Sequence, residues 1–123
     1  MTDFAARRAR LVDDIRAHGI RDPDVLRAIG TIPREVFVPR ALREEAYEDT
    51  ALPIGAKQTI SQPYIVALMI DALALKGGET VLEVGGGCGY AAAVLAKIAG
   101  QVFTIERIGE LARIATRNLT AIV

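Results

Sequence analysis

The spacing of apolar positions changes along the chain, and the changes divide it into elements. Phe4, Leu11, Val12 and Ile15 recur at roughly helical intervals with arginines on the opposite face, which predicts a helix over residues 3–18. Gly19 suits the left-handed stop after it. Asp22-Pro23 reads as the N-cap and first position of a second helix, ended by Gly30. Ile32–Pro39 is a proline-bounded connector with Val36, Phe37 and Val38 expected in the core, and Ala41–Tyr47 reads as a short polar helix. Residues 51–64, with Pro53, Gly55, Pro63 and several hydroxyl and amide side chains, predict an irregular loop. A helix follows from about Pro63 to Leu75, then a turn at Lys76–Glu79. Val81–Val84 is apolar apart from Glu83, the pattern of a strand buried on both faces. Tyr90–Ala99 predicts an Ala-rich helix stopped by Gly100, Gln101–Glu106 a second strand, and Ile108–Leu119 another helix. This strand–helix–strand–helix order is a βαβ unit with an expected right-handed crossover. The expected class is α/β, with residues 1–50 as a helical preface, 51–64 as a loop and 65–123 as the βαβ part.

With 123 residues there is room for one domain and one core. Fifteen basic and fifteen acidic residues cancel, so no global field favours nucleic acid or anionic lipid as a partner. Cys88 is the one cysteine, which excludes an internal disulfide and fits a reducing, cytoplasmic setting. The first eight residues lead into no apolar segment of the secretory type. The run Tyr64–Leu75, broken by Asp71, is too short to span a bilayer. His18, the one histidine, sits at a helix end, where a solvated role is the ordinary one. Hydrophobic residues make up 51% of the chain, which is high for a free-standing domain.

The chemistry concentrates at Thr80–Tyr90, a strand running into Gly85-Gly86-Gly87-Cys88-Gly89. So many glycines are costly unless the backbone needs them, and the expected need is close approach to a ligand by the turn amides and the next helix start. Glu106 ends the second strand 21 positions after Gly85, where an acidic residue reaches the hydroxyls of a ribose. The pair points to a nucleoside-containing ligand. A dinucleotide fingerprint from Gly85 would need glycine where Tyr90 stands. The better pattern is Glu83-x-Gly85-x-Gly87-x-Gly89. A carboxylate at Glu83 repels a diphosphate but can pair with the cationic methionine portion of S-adenosyl-L-methionine; the plainer reading is that it caps nearby amides. Cys88 reads either as a thiol of lowered pKa or as a small filler beside the ligand.

Leu52-Pro53-Ile54-Gly55, Gln58-Thr59-Ile60-Ser61-Gln62-Pro63-Tyr64 and Val81-Leu82-Glu83-Val84-Gly85-x-Gly87-x-Gly89-Tyr90 together resemble the protein-L-isoaspartate O-methyltransferase family. Ile32-Pro33-Arg34-Glu35-x-Phe37-Val38-Pro39 and Val102-Phe103-Thr104-Ile105-Glu106-Arg107 are similar to it as well. The glycine motif is shared by many methyltransferases, whereas the Gln58–Pro63 stretch is far more specific. The resemblance implies a Rossmann-like methyltransferase fold, with a helical preface and the first βαβ half of a doubly wound sheet. It implies methyl transfer from S-adenosyl-L-methionine to the free carboxylate of isoaspartyl residues in damaged proteins, the start of a repair. It further implies that Ser61 is the active-site serine, that Gln58, Thr59 and Ile60 line the same active-site loop, that Gly85, Gly87 and Gly89 approach the donor, and that Glu106 holds its ribose. A helix N-cap before Pro63 is the plain alternative for Ser61. An already ionised carboxylate attacking a sulfonium methyl needs no general base and no metal.

Two departures qualify the resemblance. The family usually has Thr or Ser second and Ser fourth in the turn, so the hydroxyls of those side chains are missing here. The family also continues with further strands, an acidic turn near the adenine and C-terminal substrate-binding residues. The expectation is therefore a truncated, incomplete sheet whose uncovered apolar surface is buried by self-association or by a partner. A catalytically silent module used in assembly, a methyltransferase for another carboxylate and, more remotely, a dinucleotide dehydrogenase remain as alternatives.

Overall fold

The structure, a computed structural model, describes residues 2–122; Met1 and Val123, which the expected preface and βαβ part include, lie outside the described residues. Helix α1 (Phe4–Ala17) is capped by the Asp3 carboxylate, which accepts from the Ala6 amide at 3.0 Å. Gly19 follows it with φ +109°, as the sequence predicts. Helix α2 (Pro23–Thr31) starts on the Asp22 cap and runs one residue past Gly30. Two 3-10 turns, Arg34–Phe37 and Arg40–Glu45, take the place of the connector and the short helix. Phe37 and Val38 are buried, while Val36 is only partly so.

Residues 51–64 are not an irregular loop. They form an antiparallel hairpin of β1 (Leu52–Gly55) and β2 (Gln58–Ile60), with Leu52 opposite Ile60. Ala56 and Lys57 turn it with φ of 52° and 60°, the conformation of a two-residue turn that matches strand twist. Burial alternates along β1, with Leu52 and Ile54 inward and Pro53 and Gly55 outward. Helix α3 (Pro63–Ala72) follows.

Strands β3 (Thr80–Val84) and β4 (Gln101–Ile105) pair in parallel through helix α4 (Tyr90–Ala96), and helix α5 (Gly109–Ala121) completes the expected βαβα order. The core lies among the helices and against one face of this sheet. It is built from Leu11 and Ile15 of α1, Val25 and Ile29 of α2, Phe37, Tyr90 and Val94 of α4, and Leu111 of α5. Each such side chain contributes on the order of 1.5–3 kcal/mol of transfer free energy.

The expectation that β3 is buried on both faces is corrected. Val81, Glu83, Val102 and Thr104 are partly buried on the helical side, but Leu82 and Val84 are 62% and 75% exposed, and Phe103 and Ile105 52% and 55%. The strands are apolar on both faces, and the described residues cover one of them. No helix among them is long and apolar enough to cross a membrane.

Candidate functional site

Parallel pairing places the carboxyl ends of β3 and β4 side by side, with Val84 opposite Ile105. The β1–β2 hairpin comes up against this end, so its side chains meet those that follow the strands. Between them lies a cleft of about 500 Å³ lined by Gln58, Thr59, Gly85, Gly87 and Glu106, with Val84, Ile105 and Leu111 among its apolar walls. A smaller cavity of about 80 Å³ adjoins it, lined by Thr59, Ile60, Ser61, Glu83, Gly85, Gly87, Cys88 and Tyr90 among others. Thr59, Gly85 and Gly87 belong to both. Eight of the nine candidate site residues thus border these two adjoining cavities. Gly89 does not: it sits beneath, with φ +93°, where a Cβ would come within 3.2 Å of Leu119. His18 lines neither cavity; its Nδ1 lies 2.7 Å from the Asp14 carbonyl.

The turn amides behave differently from expectation. Gly85 and Gly86 both donate to the Ile105 carbonyl, at 2.9 and 3.0 Å, and Gly89 donates to the Gly86 carbonyl at 3.0 Å. The Gly87 amide donates to Glu106 Oε1 at 2.9 Å. These four donors are already used inside the protein, so they form no anion cradle. What the glycines supply is clearance: at Gly85 an added Cβ would meet nothing within 4 Å.

Both carboxylates at the site are held in place. Glu106 accepts from Gly87 through Oε1 and from the Ile108 amide through Oε2 at 2.8 Å. The Ile108 amide and then that of Gly87 keep its carboxyl below the usual carboxylate range. A carboxylate oxygen has a second acceptor position, so Glu106 can still receive hydroxyl donors from the cleft. Glu83 Oε1 accepts from the Thr104 hydroxyl at 2.7 Å. Burial pushes the Glu83 carboxyl up; the Thr104 bond opposes this and the charge of Glu106 adds to it. Glu83 does not cap the glycine amides of the turn, which have other partners.

Cys88 is a buried thiol whose pKa is pushed up by burial, so it is the filler and not the activated thiol of the two sequence readings. Its carbonyl accepts from Asn118 Nδ2 at 3.1 Å, tying the turn to α5. Ser61 is exposed and does not cap α3: the cap residue is Gln62, without a side-chain bond. The Tyr64 amide instead donates to Asp49 Oδ1 at 3.0 Å.

Sequence reasoning missed Thr104, Asp49 and Arg34. Thr104 faces the helical side of an otherwise apolar strand, directly opposite Glu83, and that register was the available signal. It also resolves one departure from the family pattern. A Cβ at Gly86 would fall 2.3 Å from Thr104 Oγ1, so the Thr104 hydroxyl occupies the place of a side chain at position 86. Arg34 is fully buried in an apolar connector; its Nη2 donates to the Ser61 carbonyl at 2.9 Å.

The two carboxylates, Glu83 and Glu106, disfavour a bound diphosphate and suit a cationic ligand that carries hydroxyls. Comparisons with known proteins agree. The sequence matches the family model described as protein-L-isoaspartate(D-aspartate) O-methyltransferase over residues 6–122. It is 62% identical over 122 residues to protein-L-isoaspartate O-methyltransferase 1 of Rhodopseudomonas palustris (strain HaA2), covering 98% of this chain and 50% of that protein. It is 59% identical over 122 residues to the protein-L-isoaspartate O-methyltransferase of Methylorubrum populi, covering 99% of this chain and 57% of the relative. Among solved structures, a protein-L-isoaspartate O-methyltransferase from Plasmodium falciparum in complex with S-adenosyl-L-homocysteine superposes with a TM-score of 0.81 at 27% identity, over 93% of this chain and 55% of that one. The chain spans about half the length of the curated relatives it matches. With 117 consecutive residues inside the family model, the chain belongs to the protein-L-isoaspartate(D-aspartate) O-methyltransferase family.

Proposed function

We propose that this chain carries the donor-binding half of a methyltransferase that esterifies the free carboxylate of L-isoaspartyl residues in damaged proteins, with S-adenosyl-L-methionine as methyl donor. The observation that carries the reading is the pair of anchored carboxylates, Glu83 and Glu106, beside a turn whose four glycine amides donate within the protein. A phosphate-bearing cofactor would meet like charge at both carboxylates. A sulfonium nucleoside needs a carboxylate near its positive end, an acceptor for its ribose and room for its body.

In this reading Glu106 receives the ribose hydroxyls on its free acceptor positions, and Glu83 faces the cationic portion. Gly85 and Gly87 give the clearance, and Gln58 and Thr59 close the cleft opposite them. The bound donor supplies an electrophilic methyl group. The chain's contribution is alignment: Ser61 and Ile60 border the cavity that adjoins the donor cleft, where the Ser61 hydroxyl can donate to the incoming substrate carboxylate. That carboxylate is ionised at neutral pH, so no side chain has to remove a proton. Excluding water and holding the two reactants in line are the main work.

The reading carries a cytoplasmic setting, supported by the unpaired, buried Cys88 thiol. It also includes self-association through the open sheet face of Leu82, Val84, Phe103 and Ile105. Static light scattering across a concentration series tests that part; a monomer at every concentration rejects it.

The deciding experiment is transfer of a labelled methyl group to an isoaspartyl peptide and to its aspartyl twin. Label on the first and not the second is expected. Ser61→Ala is expected to lower turnover at least ~100-fold with donor affinity within about threefold, as for loss of a group that only aligns the acceptor. Calorimetry showing no donor binding by the unmodified chain would favour a silent module in its place.

A further inference from the structure

Arg34 is the one fully buried charged side chain among the described residues, with 0% of its surface exposed. A guanidinium is costly to enclose unless its donors find partners. Nε donates to the Ala46 carbonyl at 2.7 Å, and Nη2 to the Ser61 carbonyl at 2.9 Å. Nη1 has no hydrogen-bond partner. The guanidinium carbon lies 4.7 Å from the centroid of the Tyr90 ring, a cation–π contact. Its backbone amide donates to the Tyr47 hydroxyl at 3.0 Å, so the 3-10 turn that carries it is itself anchored.

Arg34 lines neither cavity, yet it touches a residue on each wall of the smaller one. Ser61 belongs to the hairpin side. Tyr90 follows Gly89 directly and belongs to the glycine-turn side, and both border the 80 Å³ cavity. A purely structural arginine tying the 3-10 turns together would need only its bond to Ala46. The second bond and the ring contact are directed at the two walls. Lysine has no planar fork and no broad face, so it can reach one of these partners but not both.

We propose that Arg34 is a positioning residue that sets the separation between Ser61 and the glycine turn, by bonding the Ser61 carbonyl and stacking on Tyr90. Its catalytic consequence rests on the methyl-transfer reading; its structural consequence does not. When alignment supplies most of the rate, a small displacement of the acceptor wall costs turnover far more than donor binding.

The test uses Arg34→Lys and Tyr90→Leu in the full chain, with hydrogen–deuterium exchange read by mass spectrometry alongside kinetics and donor calorimetry. Arg34→Lys is expected to speed exchange in residues 58–62 and 85–91 together, and to lower kcat by ~100-fold while donor Kd stays within about threefold. Tyr90→Leu is expected to speed exchange in residues 58–62, although it removes no bond to Ser61. The proposal is overturned if Arg34→Lys leaves both segments at their original rates or speeds only residues 40–47. It is equally overturned if exchange rises uniformly along the chain, or if kcat and donor affinity fall in parallel. If the unmodified chain neither binds donor nor transfers a methyl, the functional reading fails while the exchange comparison still decides on Arg34.

Discussion

At the residue scale, Glu83 is poised against its own comfort. Burial raises its carboxyl pKa, so the folded chain holds that proton more tightly than the unfolded chain does. Stability from this group therefore falls as pH rises from the ordinary carboxylate value through the raised one. Donor affinity has the opposite sense, because only the ionised form pairs with a cation. Glu83→Gln is expected to melt at least as high as the parent at neutral pH and to bind S-adenosyl-L-methionine about tenfold more weakly. Its affinity should also lose the rise with pH that the parent shows; calorimetry at several pH values checks this, and an unchanged rise would remove Glu83 from the donor site. Thr104 and Gly86 form a second residue-level pair. A side chain at position 86 and the Thr104 hydroxyl compete for one place, 2.3 Å from a hypothetical Cβ. Gly86→Thr alone is expected to destabilise, and Gly86→Thr in a Thr104→Ala background to be tolerated. The double-mutant cycle should return a coupling of ~1–3 kcal/mol in thermal or urea unfolding.

At the element scale, α3 starts on a cap supplied from Asp49, fifteen positions upstream, and not from Ser61 or Gln62. This frees the Ser61 hydroxyl from a structural duty. Asp49→Ala is expected to cost about 1 kcal/mol of unfolding free energy, the usual size for a lost helix cap. In the same urea titration Ser61→Ala should cost much less. The helices were legible because their ends carry chemistry that acts locally: Asp22-Pro23 starts one and Gly19 stops another. The hairpin was not, because its turn uses Ala56 and Lys57 at positive φ, where the recognisable signal is Asn-Gly. Tertiary packing of Leu52, Ile54 and Ile60 holds that turn in place. The open face of β3 was misread for a different reason. Apolar residues on both faces record what a strand can bury, and only neighbouring elements decide whether it does. The carboxylates of the site were legible from spacing, whereas the spent Gly85 and Gly86 amides were not, since their partner Ile105 lies on another strand.

At the scale of the whole molecule, one layer of helices covers one face of a two-stranded sheet, and the other face is apolar and left open by the described residues. Replacing Leu82 and Phe103 by lysine is expected to reduce self-association in light scattering without moving the thermal midpoint by more than a few degrees, because neither side chain packs in the core. Val84 and Ile105 have a double place here: they lie on the open face and also wall the cleft proposed for the donor. Whatever settles on that face therefore closes one side of the cleft. The two equilibria are then thermodynamically linked: each changes the other by the same factor, and the added wall is expected to strengthen both. Donor titrations at rising protein concentration should show an apparent dissociation constant that falls with concentration, and saturating donor should shift the association curve to lower concentration. An affinity independent of protein concentration, in a chain shown to associate, would separate the face from the cleft.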